Sequence, residues 1–376
     1  MKTTLKSAVA LLLALVLLVC AATPAFAISY GEEGDEFASF GIAKGYVRTK
    51  ADRKDSAGGT HVAVWTYDAQ GRLLKKTDTK KGPEGTDKKT VKNTYDKKGN
   101  LTKEVFNDNG TVFATTHTYD KKGNAIKSVQ KTTNPDGTVY TSTTVCTYDQ
   151  KNRLIKQVDD FGFSVRTRTY AFDKAGKPTK ETDGTVSEDN TRTSETTTHT
   201  YDKAGREIKL AIVSKSSLTG SSKRTLTGVY NNKGQLVKQT EVSTRGGQTD
   251  REVSVYTYDK KGNKTKEVIQ STYGNGSKES RTITSTYDDK GRLTKEIYAD
   301  KTQWGSGKNT FTYVYDSKGR LTKETLAYKG SDGTSKSVTA YAYSKAGNLI
   351  KTVESISDGD YAGKVVTAYT YQKIGA

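Results

Sequence analysis

Little in this chain can build a conventional hydrophobic core. Apolar residues make up 32% of the 376, well below the usual share for a globular domain. Cysteine (2), proline (4), histidine (3) and methionine (1) are all scarce. No segment keeps a helical period, which excludes a helix bundle. The only long apolar run covers residues 8–20 (AVALLLALVLLVC). It is too short for a comfortable membrane span. Lys2 and Lys6 precede it and Ala25-Phe26-Ala27 follows it, which is the layout of an export signal cleaved after Ala27. A lipoprotein reading through Cys20 is weak, because Val19 stands where a small residue is expected. No later stretch is apolar enough to span a membrane as a helix. After cleavage one cysteine remains, Cys146, so no internal disulfide is expected despite an oxidising destination.

The histidines, His61, His117 and His199, are far apart in sequence. They form no cluster with Cys or carboxylates at metal-ligand spacing. No catalytic residue, metal ligand or cofactor motif is found, and a non-enzymatic protein is expected. Aspartates recur, but lysines interleave with them where calcium would need an oxygen-rich loop.

What is abundant is tyrosine (23) and positive charge. The formal net charge is +19, and loss of Lys2 and Lys6 leaves +17. A strongly basic exported chain points to anionic partners such as wall polymers, acidic glycans or lipid head groups. Nothing in it matches a nucleic-acid-binding motif, and export argues against a genomic target.

A motif recurs, Tyr-Asp-Lys-Lys-Gly-(Arg/Asn)-Leu-(Thr/Ile)-Lys-(Glu/Gln). Its anchoring aromatic falls at Tyr67, Tyr95, Tyr119, Tyr148, Phe172, Tyr201, Tyr230, Tyr258, Tyr287, Tyr315, Tyr343 and Tyr371, spaced by 24 to 29 residues. Positions are counted from this anchor below. Each copy reads as two strands of about ten residues and two turns. In the inner turn, Asp-x-x-Gly, the aspartate suits the first turn position and glycine the left-handed closing position of a bulged hairpin. Asn152 replaces that glycine once, and Asn is the next most tolerant of positive φ. Looser outer turns such as Asn109-Gly110 and Asp332-Gly333 join successive hairpins.

With one bulge in the inner turn, the anchor pairs with the residue at +6, and the residue at −2 opposes the lysine at +8. That register sorts Tyr, Leu, the −2 column and Lys onto one face, with Thr and Glu on the other. The expected fold is all-β: tandem antiparallel hairpins forming one long curled or superhelical meander sheet over residues 61–376. Residues 28–60 read as a degenerate lead-in. An open, flatter sheet buried by self-association through its edges is the second choice.

The motif resembles the YD repeat of Rhs-type and wall-associated proteins and of teneurins, seen at Tyr67–Leu73, Tyr287–Leu293 and Tyr315–Leu321. The resemblance covers residues 60–376. It implies hairpins in a curling sheet, a role in surface display, adhesion or toxin delivery, and no catalysis by the repeats. Large Rhs-type shells carry an Asp-Pro self-cleavage element, and this sequence has no Asp-Pro pair.

Two sets of residues carry the binding hypothesis. Lysine holds +8 in eleven copies: Lys75, Lys103, Lys127, Lys156, Lys180, Lys209, Lys238, Lys266, Lys295, Lys323 and Lys351. They form a cationic ladder for a linear polyanion, or else their stems simply lie across the aromatic at −2. Lysines between Asp and Gly add a basic rim, which also suits plain solubility. The −2 tyrosines, including Tyr256, Tyr313 and Tyr341, offer stacking surfaces for sugar rings, or else fill the concave face. The expected function is a secreted, extracellular or cell-surface scaffold binding an anionic envelope polymer or glycan. The alternatives are a structural spacer, or an accessory or remnant of a toxin-delivery system.

Overall fold

The computed structural model describes residues 46–55, 58–302, 305–331, 333–358 and 361–373. The export signal and residues 28–45 lie outside them. Twenty-four antiparallel strands, from β1 (Tyr46–Asp55) to β24 (Tyr361–Lys373), make one sheet. Consecutive strands pair all along the chain, and β1 also pairs with β24. The sheet therefore closes into a barrel. The all-β hairpin architecture is as expected, but the open superhelical meander is not. The correction comes from the register, which brings the two ends together.

The inner turn forms as its residues dictate. In the copy anchored by Tyr287, the Asp288 amide donates to the Arg292 carbonyl (2.9 Å), and the Gly291 amide to the Asp288 carbonyl (2.9 Å). The Asp288 carboxylate accepts from the amides of Lys290 and Arg292, and from the Arg292 guanidinium at 2.6 Å. Gly291 has φ +77°, and Asn152 holds the equivalent left-handed position at +68°.

A second bulge follows that the sequence reading did not include. The anchor pairs with +6, as Tyr287 does with Leu293, but the −1 residue Thr286 pairs with Lys295 at +8. The residue at +7 is extra. In four of the five continuous copies where it is threonine, its hydroxyl donates to the −1 carbonyl, as Thr294 does to Thr286 (3.1 Å) and Thr322 to Val314 (3.1 Å). One extra residue in a period-two strand exchanges the faces of everything beyond it. Lysine at +8 therefore lies opposite −1, and +9 opposite −2.

Each +8 residue also pairs with position −3 of the next hairpin, as Lys295 does with Thr312 and Lys323 with Ala340. Equivalent residues thus step two positions along the strands per hairpin. Over the twelve hairpins of a 24-strand ring this makes a shear equal to the strand number. With ordinary strand dimensions that corresponds to a tilt of about 35°, the normal range for closed barrels. It also returns equivalent positions of every hairpin to one level.

The ring is completed by a split repeat. β1 falls within the stretch read as a lead-in, and it supplies the second half of the copy anchored by Tyr371. Arg48 pairs with the anchor, Lys50 with Thr370 at −1 and Ala51 with Tyr369 at −2, with the same bulge between Arg48 and Lys50. Lys50 then pairs with Val64 at −3 of the next copy, on β2 (Thr60–Tyr67), as every other +8 lysine does.

Among the described strands each lies against its two sheet neighbours and no other. The described strands do not pack against one another across the barrel, which is how so polar a chain folds. Among the described residues the buried apolar ones are few: Ala51, Ala63, Trp65, Cys146, Phe161 and Leu349. Cys146 sits in the −2 column of its copy and is 4% exposed. The other cysteine of the chain, Cys20, lies outside the described residues.

Adjacent repeats are joined by the anchor ring. Nine anchor tyrosines donate their hydroxyl to the +6 carbonyl of the preceding copy, at 2.7–3.1 Å. Five arginines at +5, each paired with its own turn aspartate, lie over the anchor ring of the following copy at 4.5–4.9 Å. Phe172 has the stacking arginine, Arg153, but no hydroxyl.

These contacts set a two-way stability test. Tyr315→Phe removes one hydroxyl bond and should cost about 1 kcal/mol. Phe172→Tyr supplies the missing donor toward the Leu154 carbonyl and should gain a similar amount. Urea unfolding read by far-UV circular dichroism, with an unchanged m-value, measures both. Loss of stability in Phe172→Tyr would contradict the anchor role.

Candidate functional site: a lysine girdle and a tyrosine-lined inner wall

Exposure separates the two faces of the wall. Every residue at −1 is exposed, and so are all eleven lysines at +8. Anchors and −2 residues are half-buried or buried throughout. On a closed sheet the convex face splays its side chains and the concave face crowds them. The −1, −3, +7 and +8 columns therefore point outward, and the anchor, −2 and +9 columns line the inside.

The predicted site residues are thus divided. Lys75, Lys103, Lys127, Lys156, Lys180, Lys209, Lys238, Lys266, Lys295, Lys323 and Lys351 form a belt on the outer wall. Tyr256, Tyr313 and Tyr341 face the interior, paired across strands with Glu267, Glu324 and Thr352. The shared face expected from the sequence is corrected, because the +7 bulge turns the lysines away from the rings. The −2 ring instead meets other cations: Lys76 lies 5.7 Å from Trp65, and Lys264 lies 5.5 Å from Tyr256. None of the eleven belt lysines takes part in an ion pair or cation–π contact among the described residues.

Lys50, exposed on β1, is the twelfth member of the belt, and its ammonium lies 3.0 Å from Asp52. It was missed because its strand precedes the first recognisable anchor. The signal was present: Arg48-Thr49-Lys50 stands like Leu321-Thr322-Lys323 at +6 to +8. With one lysine per hairpin at one level, the backbone spacing around the belt is the diagonal of two strand spacings and a two-residue step, about 11–12 Å. Around the lysines the outer wall carries Thr, Val, Ile and Ala. Val229 is 54% exposed and Val314 51%.

The inner wall is polar and internally paired. Arg168 and Asp159 form a buried pair at 2.8 Å, with Thr144 and Gln157 also donating to Asp159. Arg166 pairs with Asp183, and Arg281 with Asp300 at 2.5 Å. The Tyr341 hydroxyl donates to Glu324 (3.0 Å), and the Tyr298 hydroxyl to Glu296 (2.7 Å). The histidines are held separately: His61 by Asp78, His117 by Ser128 (2.8 Å) and His199 by Glu207 (2.6 Å).

Fold and belt together define a closed, repeat-built β-barrel with a cationic outer wall. Residues 287–331 match the family model of the RHS repeat. The other copies share the motif and hairpin register of that matched segment. No curated protein matches it. Among solved structures it is similar to a porin-like protein from Bacteroides uniformis ATCC 8492. The identity is 17% and the TM-score 0.28, over 58% of this chain and 94% of that one. A likeness at that level decides nothing about fold or function.

The inner wall sets the alkaline limit of the barrel. Burial pushes the Tyr67 phenol up to about 12, and the hydrogen bond to Glu296, with burial, pushes Tyr298 to about 12. Their ordinary value is 10.0. Both keep a proton in the folded barrel that the unfolded chain releases. Their stabilisation is complete below about pH 10 and is lost as pH rises toward 12. Phenolate absorbance titrated alongside circular dichroism should show a late class of tyrosines ionising as the sheet melts. One transition near pH 10 with the sheet intact would sink this account.

Proposed function

We propose that the protein is an exported surface scaffold whose outer wall binds a linear anionic polymer of the cell envelope. The single observation that carries this reading is the belt of twelve exposed lysines, one per hairpin and at one level. Eleven of them are in no ion pair or ring contact among the described residues. A polyanion laid around the wall would meet a cation at regular intervals without any conformational change. The binding would be electrostatic and salt-sensitive, with screening complete within a few ångströms at high salt.

A bilayer-spanning barrel is the second reading, favoured by closure, by the polar interior and by outward valines. The outer charges weigh against it. Outward positions at −7 carry a further set of exposed cations, Lys88, Lys223, Arg251, Lys308 and Lys336. Between that level and the belt lie six residues, about 16 Å of wall at a tilt of about 35°. A lipid-facing band needs about 25 Å. A plain spacer remains the reading if no polymer binds.

The test is retention of the mature chain on purified anionic envelope polymers at low and high salt. Retention should fall by an order of magnitude or more between about 0.1 M and about 1 M salt. Charge reversal at Lys266, Lys295 and Lys323 together should weaken it comparably, with the far-UV spectrum unchanged. Retention by the triple variant equal to that of the parent would remove the girdle from the mechanism. Salt-resistant flotation with vesicles would favour the spanning barrel instead.

A further inference from the structure

We propose that the seam between β1 and β24 is an exchangeable joint through which a second copy of this chain docks, β1 of one copy pairing with β24 of the next. The proposal rests on the fold and is independent of the polymer reading.

The two halves of a repeat are elsewhere joined by the Asp-x-x-Gly turn. At the seam no turn exists, because the halves lie at opposite ends of the described chain. Yet the strand register there is the ordinary one: Lys50 with Thr370, Ala51 with Tyr369, and a bulge between Arg48 and Lys50. The edge of β24 therefore accepts a strand by its pattern alone, and β1 of another copy carries the same pattern.

Covalent linkage does not decide which copy supplies β1. Proximity does, by raising the effective concentration of the chain's own strand. At high protein concentration that advantage is overtaken.

The opened edges are unlike. β1 presents the +6 to +13 half of a repeat, and β24 presents the half that ends in its anchor. A β1 edge cannot satisfy another β1 in this register. The contact between copies is therefore heterologous, running head to tail, and it closes into larger rings or extends as a fibre.

Beside the strand ladder, an arginine clasp spans the seam. Arg48 is 3% exposed. Its guanidinium lies 4.4 Å from the centre of the Tyr369 ring and 5.7 Å from that of Tyr371, and it donates to the Tyr371 hydroxyl at 3.3 Å. Arg320, at +5 of its copy, stacks on Tyr343, the anchor of the following copy, at 4.6 Å, and those two copies are consecutive in the chain.

The experiment mixes donor- and acceptor-labelled mature chains without polymer, followed by energy transfer and by sedimentation velocity. Three proteins are compared: the parent, Arg48→Ala and Arg320→Ala. A fourth carries Asp52→Cys with Ala368→Cys, which face each other across the seam on the outer wall. Arg48→Ala opens the seam more readily, so donor–acceptor exchange should run about tenfold faster than in the parent, with Arg320→Ala like the parent. The proportion of head-to-tail species stays that of the parent, because the joint between copies loses the same clasp. The cysteine pair should block exchange when oxidised and release it when reduced. If Arg48→Ala does not fold, the parent and the oxidised pair still decide the matter. Exchange that persists in the oxidised pair, or a parent that stays single at every concentration reached, overturns the joint.

Discussion

The structure depends on one irregularity, the extra residue at +7 of each repeat. Without it the hairpins would form a regular ladder with lysine and tyrosine on the same face. With it, each hairpin bends and everything after the bulge changes face. The recurring step between hairpins, two residues along the strand, is what a closed ring of twelve needs. The +7 threonine hydroxyl bound to the −1 carbonyl, as at Thr294 and Thr322, ties the bulge to side-chain chemistry. Barrel closure and the placement of charge thus follow from the same local event.

A chain with so few apolar residues cannot stabilise itself through a thick core. It spreads its stability over contacts repeated from copy to copy. The turn aspartate organises the loop and fixes the +5 arginine, the arginine covers the next anchor ring, and that anchor's hydroxyl returns to the preceding +6 carbonyl. Each repeat is thereby fastened to its neighbour on the inner wall, as expected of arrays whose stability sums over nearest-neighbour interfaces. Nothing in this scheme requires opposite walls to meet, and none of the described strands packs across the barrel.

The same scheme divides the charges by role. Inner arginines and carboxylates satisfy one another, Arg168 with Asp159 and Arg281 with Asp300. Across the wall, the outer lysines face solvent. Cations on the inside are components of the fold, while the eleven belt lysines on the outside make no ion pair or ring contact among the described residues. This separation is why the binding hypothesis settles on the girdle rather than on the tyrosines.

The sequence by itself determined the strands, the inner turn and the repeat. Twelve anchors, nine of them followed by Asp at +1 and all by Gly or Asn at +4, specify a local turn geometry that the first eleven copies adopt. The eleven lysines were equally legible, since a column needs only a count from the anchor. Their face was not legible, because a single inserted residue reverses it and no residue type announces the insertion: +7 is Leu, Ile, Val or Thr. Nor could closure be read, or the place of Lys50. Both depend on Arg48 and Tyr371, at opposite ends of the described chain, meeting in register. Only the accumulated shear of all the intervening hairpins brings them together.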